Sequence, residues 1–153
     1  MKPIINFASK VKARLTFDPD LVVETGGRYF LLNKDLKANA SRSFFYAGRY
    51  LGKMKDGKFF PSFNLLAILA EAEANKVVVD EKAAWLFICA RDVFGGGIVS
   101  VQGSRHRGAF TLVLNEFGEC LGFGRLDRDL GSKDTSVVVQ NISDVGDFLR
   151  RER

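Results

Sequence analysis

The chain has 153 residues, 46% of them hydrophobic and 27% charged, which is enough apolar content to bury a core and excludes a disordered tail. Lys and Arg number 23 against 18 Asp and Glu, a net charge of +5 that suits a polyanionic partner without requiring one. No run approaches the roughly 18 apolar residues of a membrane span, and Lys2, Lys10, Lys12, Arg14, Asp18 and Asp20 argue against a secretory leader.

Residues 21–24 and 28–32, joined through Thr25-Gly26-Gly27, predict two strands around a glycine turn. Residues 33–43 read as turn-rich or a short helix, with further strand at 44–46 and around Tyr50 and Leu51. Lys55-Asp56-Gly57-Lys58 supplies an Asp-Gly turn ahead of Phe59 and Phe60, which are expected in the core with Phe44. Ser62 is placed to cap a helix carrying Leu65, Leu66, Ile68 and Leu69 on one face, with Asn75 and Lys76 as its stop. Composition shifts there, so the expected boundary divides an N-terminal α/β domain, 1–75, from a second domain, 76–153.

The second half opens on Val77-Val78-Val79, a β-branched strand. Asp80 then caps a helix over 81–89, where Ala83, Ala84, Phe87 and Ile88 share a face with Trp85 and Leu86 alongside. A helix this apolar is expected to be substantially buried. Gly95-Gly96-Gly97 follows, then strand-like runs at 98–102, 109–115, 119–126 and 136–141, a hairpin turn at Asn115-Glu116-Phe117-Gly118, and a closing helix over 144–151. One early helix followed by short, closely spaced strands indicates a small mixed β-barrel, and an α+β fold class for the whole chain.

Catalytic chemistry finds little footing. His106 is the sole histidine, flanked by Arg105 and Arg107 with no adjacent acid to orient it, and reads as a surface residue of a basic loop. Neither a Gly-x-Ser-x-Gly elbow nor a phosphate-loop motif occurs. The expectation is no catalytic residue, no metal and no cofactor. Cys89 and Cys120 lack Cys-x-x-Cys spacing and read as small buried hydrophobes of a reduced, cytoplasmic protein.

Cationic and glycine-rich features point elsewhere. Three successive glycines, Gly95, Gly96 and Gly97, imply positive φ or close backbone approach; their N–H groups could meet a phosphate, a tight turn being the structural alternative. Arg105, Arg107, Arg125, Arg128 and Lys133 could contact phosphates or stack on bases, with Lys82 and Arg91 flanking the path. The interleaved Asp127, Asp129 and Asp134 offer internal ion pairs instead. The first half holds 12 basic and 7 acidic side chains and the second 11 of each, so the excess lies before residue 76. Its aromatic and basic stretch from Arg42 to Phe60 reads either as a stacking platform or as core.

The second half resembles a PUA domain, the RNA-binding fold of pseudouridine synthases and archaeosine transglycosylases. The resemblance rests on Val78-Val79-Asp80-Glu81-Lys82-Ala83-Ala84, Arg91-Asp92-Val93, Gly97-Ile98-Val99 and the run from Leu114 through Gly118 to Gly124. Tyr50-Leu51-Gly52-Lys53, Gly57-Lys58-Phe59, Leu121-Gly122-Phe123-Gly124 and the end Ser143-Asp144-Val145-Gly146-Asp147-Phe148-Leu149-Arg150 resemble the archaeal and eukaryotic PUA family that assists large-ribosomal-subunit maturation. That likeness implies a pre-PUA-like N-terminal α/β domain followed by a PUA barrel. It further implies binding of pre-ribosomal RNA and assembly proteins without catalysis, ribosomal RNA ranking ahead of transfer RNA, and no membrane partner. It assigns Arg125, Arg128 and Lys133, after Leu-Gly-Phe-Gly, to the RNA-facing surface. Phe59-Phe60-Pro61-Ser62-Phe63-Asn64-Leu65-Leu66 also resembles translation-factor-like PUA proteins acting on ribosome-bound tRNA. The Asn115–Gly118 turn resembles the PUA portion of archaeal tRNA-guanine transglycosylase, so a tRNA-binding subunit or adaptor of an RNA-modifying enzyme is the alternative.

Overall fold

The computed structural model describes residues 1–39, 47–131 and 135–151; the strand expected at 44–46 lies outside them. The chain opens on a helix absent from the sequence reading, α1 (Lys2–Lys10). Pro3 sits in its first turn, where a missing N–H leaves no bond unmade. Ile4, Phe7, Ala8 and Val11 recur at helical spacing and are all buried.

Four antiparallel strands follow in sequential order: β1 (Val22–Thr25), β2 (Arg28–Leu31), β3 (Arg49–Lys55) and β4 (Lys58–Pro61). The tight turns need left-handed backbone, which Gly26 (φ 55°) and Gly27 (φ 74°) supply between β1 and β2, and Asp56 (φ 50°) with Gly57 (φ 71°) between β3 and β4. A short helix, α2 (Lys34–Asn39), leaves β2. Helix α3 (Phe63–Glu71) is capped as expected, the Ser62 hydroxyl accepting the Leu65 N–H at 3.2 Å, and it buries Leu65, Leu66, Ile68 and Leu69.

The second sheet contains β5 (Lys76–Val79), β6 (Val93–Phe94), β7 (Ile98–Gln102), β8 (Phe110–Leu114), β9 (Cys120–Leu126) and β10 (Val137–Asp144), in the order β6-β10-β9-β8-β5-β7. Only β5 and β8 pair in parallel. β6 runs antiparallel to β10 and β7 antiparallel to β5, so the two edge strands share a direction. One turn of 3₁₀ helix, Gly95–Gly97, joins them. This glycine elbow carries the chain from one edge to the other and curls the sheet into a half-barrel. Helix α4 (Glu81–Ile88), capped by Asp80 at 2.7 Å from the Ala83 N–H, inserts Phe87 among Val77, Val79, Val113, Leu126, Val138 and Val139. Helix α5 (Gly146–Arg151) closes the described chain.

The two sheets share a core. Ile4, Phe7, Tyr29, Leu51, Leu65 and Leu69 pack with Leu112, Leu114 and Phe123 from β8 and β9. The Phe7 ring stands edge-on to Phe123 at 5.0 Å and tilted against Phe59 at 6.2 Å, favourable aromatic geometries. Asn75 was expected to stop α3, yet that helix ends at Glu71. Asn75 is instead 2% exposed and fully bonded. Its N–H donates to Val11 O (2.7 Å) and its C=O accepts from Leu112 N (2.9 Å). Its side-chain amide donates to Phe110 O (2.9 Å), and its Oδ1 accepts from Ser104 N (2.9 Å). Backbone and side-chain bonds of this one buried residue thus tie three segments together.

Three burial expectations are corrected. Among the side chains of α4 only Phe87 is buried, and Trp85 is 64% exposed, because one face of the helix covers the half-barrel while none of the described residues is layered on the other. Cys89, at the end of that helix, is exposed. Phe60 alternates outward from its neighbour Phe59 along β4 and is 46% exposed, whereas Phe59 packs against the shared core.

Candidate nucleic-acid interface

The glycine elbow is built for helix packing. None of Gly95, Gly96 and Gly97 has positive φ. A Cβ on Gly97 would lie 2.6 Å from that of Ala83, so this glycine lets the elbow approach α4, whereas Gly96 faces open space. The Gly97 carbonyl accepts the Asp80 N–H (2.9 Å), and the Gly95 N–H donates to Ser136 O (3.0 Å). Gly95 therefore has no free N–H for a phosphate. Beside the elbow opens a cavity of about 400 Å³, lined by Lys82, Leu86, Phe94, Gly96 and Thr135 among others.

The β7–β8 and β9–β10 connections lie at one end of the half-barrel, and hydrogen bonds join them. Leu130 N–H donates to Arg105 O (2.8 Å), and Gly108 N–H to Leu126 O (2.8 Å). The Asp129 carboxylate accepts the Arg107 N–H at 2.7 Å and thereby shapes the loop through its backbone. The guanidinium groups of Arg105 and Arg107 are exposed and have no carboxylate partner among the described residues. Arg128 is exposed on the same connection. Through Ser136, the β9–β10 connection also reaches the elbow, so this one segment, which carries Arg128, touches both the loop of Arg105 and Arg107 and, past the other end of β7, the elbow beside Lys82.

Two expected members lie elsewhere. Arg125 pairs across β9 with Phe110, which fixes it to the outer face of the sheet, toward the N-terminal half. Arg91 follows α4 at the end remote from the elbow, its carbonyl accepting from Asn141. Lys133 lies outside the described residues. His106 is exposed, its Nδ1 4.0 Å from Asp129, beyond hydrogen-bonding distance. No cluster of three metal-ligating side chains occurs among the described residues, and no helix is long and apolar enough to cross a membrane.

Two exposed aromatic residues lie near the elbow, Trp85, which the sequence placed in a buried helix, and Phe94, to which it gave no role. Phe94, 52% exposed, lines the cavity with Lys82; Trp85, 64% exposed, lies one helical turn beyond Lys82. For Trp85 the signal was present: it sits about 160° around the helix from Phe87, on the side of Glu81 and Lys82. Phe94 carried none, since a two-residue strand has no periodicity. Exposed aromatic faces beside unpaired cations can stack on bases while holding phosphates.

Residues 75–153 match the family described as the UPF0113 PUA domain. A UPF0113 protein of Archaeoglobus fulgidus is 31% identical over 114 residues, covering 71% of this chain and 63% of that protein. The chain thus spans a little under two thirds of that relative's length. Among solved structures, a conserved PUA domain protein from Thermoplasma acidophilum superposes over 99% of this chain and 94% of its own, with a TM-score of 0.61 at 21% identity. A PUA domain from Aeropyrum pernix covers 61% of this chain and 56% of its own, with a TM-score of 0.51 at 23% identity. These two likenesses establish a shared fold.

Proposed function

The chain belongs to the UPF0113 PUA domain family, and from that membership we propose that it is a non-catalytic, cytoplasmic RNA-binding protein of large-ribosomal-subunit assembly. The observation that carries the reading is Lys82 standing exposed with Trp85 and Phe94 beside the elbow, while the exposed Arg105 and Arg107 sit on a connection that the β9–β10 segment joins, by hydrogen bonds, to the same elbow. Phosphates would be held by the cations and unpaired bases by the aromatic faces. Ribosomal RNA ranks ahead of transfer RNA on the likeness of Tyr50-Leu51-Gly52-Lys53, Leu121-Gly122-Phe123-Gly124 and the segment after Ser143 to the ribosome-assembly family. The division at 75/76 makes the first domain the candidate for docking an assembly protein.

Titration of labelled single-stranded RNA against salt tests the reading. Affinity should fall linearly on a log–log plot, and Lys82→Glu, Arg105→Glu and Arg107→Glu should each flatten the slope by about 0.7. Trp85→Ala should weaken binding by about tenfold with the slope unchanged, since stacking releases no counterions. A binding midpoint that stays fixed from low to moderate salt would overturn the proposal. Crosslinking followed by sequencing of the bound RNA separates ribosomal from transfer RNA.

A further inference from the structure

A second cavity, about 870 Å³, lies between α1, the β3–β4 hairpin, the outer face of β8–β10 and α5. Lys2, Lys10 and Lys58 stand around it, all exposed and without an ion-pair partner among the described residues. Lys10 Nζ lies over the Phe110 ring, 5.5 Å from its centroid, within cation–π range. Phe60 on the hairpin wall and Ile142 on the β10 wall, 46% and 44% exposed, leave apolar surface open to the cavity.

The carboxylates of the lining are fewer than its cations. Asp144 and Asp147 face four cations, Lys2, Lys10, Lys58 and Arg150, and Asp144 is buried in a two-point pair with Arg150 (2.9 and 3.0 Å). The groove is therefore electropositive, and its aromatic surface is not consumed by the core. This combination suits a ligand bearing both a planar ring and a phosphate.

The groove is also continuous with the region at the half-barrel end. Phe123 on β9 lines it. Arg125, two residues and about 7 Å farther along the strand, shares the face of Phe110. Arg128 follows in the connection beside Arg105 and Arg107. We propose that this groove is a second single-stranded RNA subsite, receiving an unpaired nucleotide between Phe60 and Ile142 with its phosphates on Lys10 and Lys58, Arg125 guiding the strand from the barrel end. The inference rests on the RNA-binding reading above and explains why Arg125 is exposed on a face away from the elbow.

The test uses the full chain with labelled oligouridylate of about twelve nucleotides, long enough to reach both regions. The groove variant Lys10→Glu/Lys58→Glu/Phe60→Ala should weaken binding about tenfold or more. Photocrosslinking of the unaltered protein to 5-bromouridine RNA should place adducts on peptides containing Phe60 or Phe110. All three substituted residues are only partly engaged in packing, and the crosslinks report on the groove whatever the variant's fold. Wild-type affinity in the groove variant, or crosslinks confined to peptides with Trp85 and Phe94, would overturn the subsite and leave the barrel-end reading standing. RNA that fails to bind the unaltered protein would overturn both. Loss confined to Arg105→Glu/Arg107→Glu, with the groove variant unaffected, would assign all binding to the barrel end.

Discussion

Cys89 and Cys120 look alike in sequence, each a small residue among apolar neighbours, yet their surroundings differ in kind. Cys89 is exposed at the end of α4. Cys120 begins β9, and burial pushes its thiol up to about 11, against a weaker opposing pull from a backbone hydrogen bond of Gly122 and from Lys76. A raised thiol pKa favours the neutral form in the folded state. Its stabilising contribution, about 2–3 kcal/mol, is complete below the unfolded value of 9.0 and disappears as pH rises through about 11. Denaturation curves should therefore show stability falling over that window, and Cys120→Ala should flatten the fall. A thiol reagent should modify the exposed Cys89 well before Cys120, and Cys120 fully only on unfolding, as peptide mass mapping would show. Residue identity was plain in the sequence at both sites; which of the two a neighbouring layer covers was not.

At the level of elements, caps and turns were legible because their chemistry is local. Ser62 and Asp80 cap the helices they were assigned, and Thr25-Gly26-Gly27 and Asp56-Gly57 turn the hairpins where expected. Helix α1 was equally legible, since Ile4, Phe7, Ala8 and Val11 recur at helical spacing. The elbow shows what sequence withholds. Three glycines announce that a Cβ is unwelcome somewhere, while only the fold reveals that Gly97 meets Ala83 and Gly96 meets nothing. Gly96→Ala should therefore leave the denaturation midpoint within about 0.5 kcal/mol of the parent. Gly97→Ala should lower stability by about 1–3 kcal/mol through overpacking, and Ala83→Gly in the same chain should recover part of it. Equal effects at the two positions would mean that α4 does not pack on the elbow in this way.

Across the whole molecule, the α+β class and five of the six second-half strands followed from patterning, whereas the two-residue β6, the order of strands in the sheet and the core shared between the sheets did not, because alternation shows that a strand has a buried face and not which element covers it. Leu112, Leu114 and Phe123 serve that shared core rather than the half-barrel interior. Calorimetry should consequently record one unfolding transition, with equal van't Hoff and calorimetric enthalpies. Residues 76–153 expressed alone should expose those three side chains and melt at lower temperature. Among the basic residues, Arg125 is set apart from the loop cations by strand register, a property fixed by pairing partners far along the chain, and Arg91 by its place after the end of α4. Asn75 extends this to time. Its bonds reach Val11 at the end of α1, Ser104 in the β7–β8 connection, and Phe110 and Leu112 on β8, so the full set cannot close before α1 has docked on the second sheet. In a chevron experiment Asn75→Ala should steepen the rate of escape from the native state by about tenfold while hardly altering the rate of its formation, making this one amide a latch fastened late rather than a nucleus on which assembly begins.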